Sequence, residues 1–159
     1  MNRKMINNTI RVVLAPEFHE MDPEEKKKVY AGSAVIPEWC VRDPERHMLF
    51  SASWKQMNGI LAMMACSMDG AKGLEKRMRM ALRDRNYRPG EYIREELGGK
   101  KVFGFTFRYQ GKEGELLSRT VMVRDGGCIY YLTSQIRAED EKEAEAVMDE
   151  IWGSLSWNS

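Results

Sequence analysis

Apolar residues recur at every second position in several stretches of the chain, which is the period of a half-buried β-strand. The aromatic residues of the stretch 101–110 all fall on one face, at Phe103, Phe105, Phe107 and Tyr109. Short glycine-containing turns separate this stretch from neighbouring strand patterns at 92–97, 116–124 and 128–136. Strands joined by such short turns must be antiparallel, so the pattern predicts a four-strand meander.

Two more strand patterns lie upstream of the meander. Apolar residues alternate at Ile10, Val12 and Leu14, which predicts a strand over 10–14. The stretches 38–42 and 47–54 predict a hairpin, because Asp43 and Pro44 suit the first two positions of a type I turn.

Three segments carry the signals of helices. Asp22 before Pro23 is a strong helix start, which predicts a short helix over 23–30. Apolar residues at helical spacing predict two longer helices, over 71–85 and 138–155. The predicted elements make one α+β domain spanning residues 1–159, a twisted antiparallel β-sheet flanked by helices.

Composition narrows the class of protein. The chain has 159 residues, of which 43% are hydrophobic and 31% charged, so it is a globular chain and not a disordered one. Its formal charge of +1 argues against a dedicated nucleic-acid-binding domain, which is usually visibly basic.

The chain carries no segment that predicts a membrane span or a secretory signal. Its apolar runs are much shorter than the ~20 residues of a spanning helix. The run after the charged N-terminus is closed by Pro16, too early for a signal peptide. Three widely spaced cysteines, Cys40, Cys66 and Cys128, cannot complete a disulfide framework, so we expect free thiols and a cytoplasmic location.

Signatures of catalysis are absent from the sequence. His19 and His47 lie far apart, and no carboxylate is placed by the sequence to orient either one. The motifs of serine hydrolases, P-loop enzymes and zinc peptidases do not occur. We therefore expect no enzyme, and no catalytic, cofactor-binding or metal-binding residues.

One alternative to a non-catalytic domain is left open by the aromatic residues. A pocket between the sheet and a helix would make a small-molecule-binding domain or a minor enzyme. Its candidate lining residues are Tyr92, Tyr109, Tyr130 and Tyr131.

The near-neutral total charge conceals two segments of opposite sign. Residues 72–88 contain seven basic and two acidic residues, whereas residues 138–152 contain seven acidic residues and one lysine. Either both helices only present solvated outer faces, or the basic helix docks an acidic partner.

The segment 57–68 is unusually rich in methionine and contains no charged residue. Methionine is over-used at surfaces that accept varied apolar partners. We interpret the segment as an apolar connection that leads into the basic helix. The candidate protein-binding residues are Met57, Ile60, Leu61, Met63, Met64, Arg77, Arg79 and Arg83. The alternative is that the apolar side chains plug one end of the sheet core.

The order of the predicted elements resembles the PsbP/Mog-like α+β family. The features that carry the resemblance are Pro16-Glu17-Phe18 after the first strand, the Gly98-Gly99 turn and the closing Trp152-Gly153-Ser154-Leu155. The resemblance implies a binding or assembly domain that is generally non-enzymatic. Some bacterial members of that family resemble chaperones for apolar segments of secreted proteins. The sequence thus predicts a cofactor-free domain that binds a partner protein, in an assembly or chaperone-like role.

Overall fold

The computed structural model describes residues 2–31, 36–112 and 114–158. The elements in chain order are β1 (Asn2–Ile6), β2 (Ile10–Leu14), β3 (His19–Glu20), α1 (Pro23–Val29), β4 (Trp39–Asp43), β5 (Met48–Gln56), α2 (Gly59–Ala65), α3 (Met68–Ala81), β6 (Arg88–Leu97), β7 (Lys100–Gly111), β8 (Gly114–Asp125), β9 (Cys128–Arg137), α4 (Glu141–Gly153) and β10 (Ser156–Trp157). A turn of 3₁₀-helix at Ala138–Asp140 precedes α4. The predicted α+β class is confirmed.

The meander predicted from the alternating residues forms the larger part of a seven-stranded antiparallel sheet. Its strand order is β3-β4-β5-β9-β8-β7-β6, with β6 through β9 paired consecutively. The predicted hairpin is β4–β5, and Asp43 Oδ1 accepts hydrogen bonds from the backbone N–H groups of Glu45 and Arg46 at 3.1 and 3.2 Å. Residue 113, in the predicted 111–114 turn, lies outside the described residues.

A second, three-stranded sheet has the order β1-β2-β10 and brings the two ends of the described chain together. The sequence pattern predicts only β2 of these strands. Four of the five residues of β1 are exposed, so apolar alternation is absent there, and pairing with β2 holds it in place.

The capping residues mark where the helices begin more accurately than the apolar periodicity does. α1 begins as predicted, with Asp22 Oδ1 accepting from Glu25 N–H at 2.8 Å. α3 begins earlier than the predicted residue 71, because Ser67 Oγ accepts from Gly70 N–H at 3.1 Å. It also ends before the predicted residue 85, at Ala81.

The segment predicted as a connection contains a helix of its own. Asn58 caps α2 by accepting from Leu61 N–H at 2.8 Å. An all-apolar helix shows no amphipathic period, which is why the pattern of this segment is ambiguous.

Helices cover both faces of the large sheet. On one face, α4 buries its predicted stripe, and Trp152 contacts Phe50 edge to face at a centroid distance of 5.0 Å. On the other face, α3 lies over β6 and β7, where Tyr87 stacks on Phe107. Among the described helices, none is long and apolar enough to cross a membrane.

Candidate functional site

Helix α2 exposes more large apolar side chains than any other described helix or strand. Four of its seven residues are large apolar side chains that are more than half exposed: Ile60 (73%), Leu61 (52%), Met63 (60%) and Met64 (67%). Only Ala62 of this helix is buried. These four side chains, all predicted as partner-binding residues, therefore lie in solvent and not in the sheet core. Met57, predicted with them, is half-buried just before the helix.

The structure holds α2 firmly against the sheet. At its start, Met57 N–H donates to the carbonyl of Gly127 at 2.8 Å. At its end, the Cys66 thiol donates to the carbonyl of Met122 at 3.7 Å. Burial raises the pKa of the Cys66 thiol, so it stays protonated near neutral pH. The exposed apolar residues thus sit on a fixed helix.

The junction between α2 and α3 leaves no space for a side chain. Ser67 Oγ donates to the carbonyl of Met64 at 2.7 Å and also caps α3. A Cβ atom on Gly70 would stand only 1.8 Å from the carbonyl oxygen of Ala65. The apolar helix and the basic helix therefore meet in a tight corner of set geometry.

The predicted arginines differ in what they contact. Arg79 is committed internally, with Nη2 donating to Glu75 Oε1 at 2.8 Å and Nε to Oε2 at 3.1 Å. Arg77 makes no ion pair with any described residue, and Arg83 donates only weakly, to the carbonyl of Met80 at 3.4 Å. Arg77 and Arg83 therefore have no charged partner among the described residues, whereas Arg79 is paired with Glu75 and is still 56% exposed.

Three further residues of α3 extend this surface. Lys72 and Lys76 are exposed and form no ion pair within the described chain. Met80 is 60% exposed and lies within one helical turn of Lys76, Arg77 and Arg83. The sequence analysis missed Met80 as a surface residue, although its spacing from the basic residues would have placed it among them. We call α2 together with these exposed residues of α3 and Arg83 the α2–α3 surface.

Glu75 anchors this surface from below. Its carboxylate is nearly buried and accepts hydrogen bonds from Tyr87 Oη at 2.7 Å and from Arg79. Burial alone would raise the pKa of Glu75, but the hydrogen bonds from Tyr87 and Arg79 outweigh it and lower the pKa. The ionised carboxylate fixes α3 to the chain that leads into β6.

The acidic helix lies on the opposite side of the sheet. Trp152 of α4 donates from Nε1 to Ser134 Oγ at 3.0 Å, whereas Phe107 under α3 lies level with Gln135, the next residue along β9. Because successive strand residues point to opposite faces, α3 and α4 are separated by the sheet. The two charged helices therefore do not neutralise each other by contact.

The four tyrosines of the predicted pocket do not converge. Tyr130 is buried between Trp54 and Trp157, and its hydroxyl accepts from Asn7 Nδ2 at 2.8 Å. Tyr131 points to the other face of the same strand, and Tyr92 is exposed on the edge strand β6. Tyr109 lines a cavity beside the β4–β5 and β7–β8 turns, whereas Tyr92 lines a separate cavity between β6 and α4.

One histidine has the carboxylate that the sequence analysis did not find. His19 Nε2 lies 2.9 Å from Glu25 Oε2, because β3 leads directly into α1. The pair is on the surface, with the His19 side chain 47% exposed. Within the described ranges, no three His, Cys, Asp or Glu side chains are grouped to hold a metal ion. All three cysteines are free thiols, with Cys40 and Cys128 buried.

Solved structures share this architecture at low sequence identity. Cyanobacterial PsbP (CyanoP) from Synechocystis sp. PCC 6803 matches with a TM-score of 0.72 and 12% identity, over 99% of this chain and 92% of that chain. LpqN, involved in cell envelope biogenesis of Mycobacterium tuberculosis, matches with a TM-score of 0.61 and 12% identity, over 94% of this chain and 83% of that chain. The protein of unknown function PA94 from Pseudomonas aeruginosa matches over 100% of this chain and 98% of that chain, with a TM-score of 0.51 and 8% identity.

These matches concern the fold. The chain has the PsbP-like α+β fold, as the order of its elements predicts. No family model matches the sequence, and neither does any curated protein.

Proposed function

We propose that this protein is a non-catalytic accessory domain that binds a partner protein through the α2–α3 surface. The observation that carries the proposal is the exposure of four large apolar side chains on one short, firmly held helix. Exposed apolar clusters of this kind mark interaction sites. A role in assembly or in chaperoning an apolar segment agrees with the resemblance and with the shared fold. A cytoplasmic location is part of the proposal.

The chemistry of the surface favours one kind of partner segment. Ile60, Leu61, Met63 and Met64 offer flexible apolar contacts, and α3, which carries the exposed cations, begins at the corner where α2 ends. Apolar centres with charged rims are the usual anatomy of protein interfaces. The complementary segment is amphipathic, with apolar side chains on one face and Asp or Glu beside them.

A designed peptide tests this specificity directly. A synthetic amphipathic helix of leucine and glutamate is titrated into the protein, alongside a peptide in which each glutamate is lysine. We expect saturable binding of the acidic peptide and at least tenfold weaker binding of the basic one, since charge complementarity fixes specificity.

Matched variants locate the binding site. Met63→Ser/Met64→Ser should weaken binding of the acidic peptide by roughly tenfold. The control Met5→Ser/Val29→Ser removes exposed apolar residues elsewhere and should leave binding unchanged. Arg77→Glu/Arg83→Glu should also weaken binding of the acidic peptide, whereas the control Arg3→Glu/Lys4→Glu on β1 should not. Equal losses in test and control variants would overturn the proposal.

Two other occupants of the surface are distinguished in the same experiments. Phosphatidylserine vesicles that bind the protein while the acidic peptide does not would contradict a protein partner. Concentration-dependent dimerisation abolished by Met63→Ser/Met64→Ser would assign the surface to a second copy, and would likewise overturn the proposal.

A further inference from the structure

A cavity of about 370 Å³ lies at one end of the large sheet, and its described lining residues do not belong to α2. It is lined by the end of α1, the β4–β5 turn, the residue Arg85 after α3, and the β7–β8 hairpin. Its volume is within the range of small-molecule sites.

The floor of the cavity is apolar and aromatic. Tyr109 donates its hydroxyl hydrogen to Gln135 Oε1 at 2.6 Å, which fixes the ring in place. Burial raises the pKa of Tyr109, so the phenol stays neutral. Leu49 and Leu116 complete the floor beside Tyr30. A flat apolar group would find contact surface here.

The walls are strongly cationic. Lys28, Arg85 and Lys112 reach the cavity from three separate elements, and none of them forms an ion pair with a described residue. Gln110 N–H donates to the carbonyl of Arg85 at 2.7 Å, which ties Arg85 to β7 beside Tyr109.

The other charges on the walls are already compensated. Arg42 pairs with Glu25 at 3.6 Å, and Arg137 contacts Glu139 and Asp140. Asp43, the acidic residue among the described lining residues, is buried and accepts from Arg46 Nε at 2.5 Å. Among the described lining residues, Lys28, Arg85 and Lys112 are therefore the charged side chains without an ion pair.

We propose that this cavity binds a small organic anion, a carboxylate or phosphate monoester with an apolar or aromatic body. The anionic group is held by Lys28, Arg85 and Lys112, since lysine and arginine are the usual partners of such groups. The body lies against Tyr109 and Leu49. The site is independent of the α2–α3 surface, so either proposal can fail without the other.

The test is a titration of the ¹⁵N-labelled protein with phenyl phosphate, followed by amide chemical shifts. We expect saturable shifts confined to residues around Tyr109, Lys112 and Gln135. Benzyl alcohol, which lacks the anion, and inorganic phosphate, which lacks the body, should each bind at least fivefold more weakly, because both parts contribute contacts.

Paired charge variants control for general electrostatic attraction. Arg85→Gln/Lys112→Gln should weaken binding of phenyl phosphate by about tenfold. Lys72→Gln/Lys76→Gln, at exposed positions of α3, should change the affinity less than twofold. An amide spectrum that keeps its dispersion shows that each variant is folded. Unsaturated shifts, shifts spread along α3, equal binding of either analogue or equal losses in both variants would overturn the proposal.

Discussion

At the scale of single residues, Glu75 shows how one buried carboxylate can organise a surface. It lies beneath α3 and accepts hydrogen bonds from Tyr87 and Arg79, which lower its pKa despite its burial. A carboxyl whose pKa is lowered by folding stabilises the protein above its unfolded-state pKa, near 4.3. That contribution is lost as the pH falls through the folded-state value.

Glu75→Gln should therefore lower the free energy of unfolding by about 1–3 kcal/mol at neutral pH, since a neutral amide accepts more weakly than the buried carboxylate from Tyr87 and Arg79. The difference from the wild type should narrow as the pH falls below about 4, where the wild-type carboxyl is protonated. Urea unfolding at neutral pH and at a pH below about 4 measures this difference in unfolding free energy, with Glu143→Gln as an exposed control. A gap that does not change with pH would show that the charge on Glu75 is unimportant.

Trp152 is the corresponding anchor on the other face of the sheet. It is 3% exposed, meets Phe50 edge to face, and carries the Arg119 guanidinium 4.7 Å from its ring centroid. Trp152→Ala should cost about 3–5 kcal/mol in unfolding free energy, as a truncated core aromatic does. Trp152→Phe keeps an aromatic ring and should cost less. A melting temperature unchanged by Trp152→Ala would contradict the packing of α4.

Met63 lies at the opposite extreme of exposure. Because its side chain is 60% exposed, Met63→Lys should change the free energy of unfolding by no more than about 0.5 kcal/mol. Thermal unfolding followed by circular dichroism measures this. Destabilisation approaching that of Trp152→Ala would mean that α2 plugs the core in solution.

At the scale of elements, the sequence predicts those strands and helices whose formation depends on residues close together in the chain. The meander is predictable because glycine-containing turns leave no room for crossovers between β6 and β9. β6 begins before the predicted residue 92, at Arg88, and passes through Pro89. An edge strand tolerates proline, whose missing N–H can face solvent, and the register shifts between Pro89 and Tyr92.

The candidate site is only partly predictable for a similar reason. The sequence identifies the apolar residues of α2 and the basic residues of α3 by their composition. The Glu75–Arg79 pair has the i,i+4 spacing that a helix brings together, so it is predictable from the local sequence. The burial of Glu75 and its bond to Tyr87 are not, because they depend on how α3 docks beside β6. The cationic cavity joins residues distant in sequence, such as Lys28 and Lys112, which no local pattern connects.

The α2–α3 corner offers a matched pair of glycine variants. Gly70→Ala should destabilise the protein and displace α2, because the added methyl group would collide with the Ala65 carbonyl oxygen. Gly73→Ala meets nothing within 4 Å and should stabilise α3 by about 0.5–1 kcal/mol. Melting temperatures that move in opposite directions are expected. An equal rise in both would show that the corner is loose.

At the scale of the whole molecule, the sheet separates two surfaces of different character. One face carries α4, whose exposed acids Glu143, Glu145, Asp149 and Glu150 form no ion pair within the described residues. The other carries the α2–α3 surface, with exposed apolar side chains on α2 and exposed basic side chains on α3 and at Arg83. Charge separated in this way orients an approaching partner and speeds association at low salt.

The central claim is that α2 is a fixed, exposed surface that a partner covers. Hydrogen–deuterium exchange of the whole chain, with and without the acidic peptide, tests it most directly. In the free protein, the amides of Gly59–Ala65 should exchange faster than those of β8 and β9, and the peptide should protect them and the exposed turns of α3. Amides in α2 as slow as those of the central strands, or protection that appears elsewhere on the molecule, would contradict the claim.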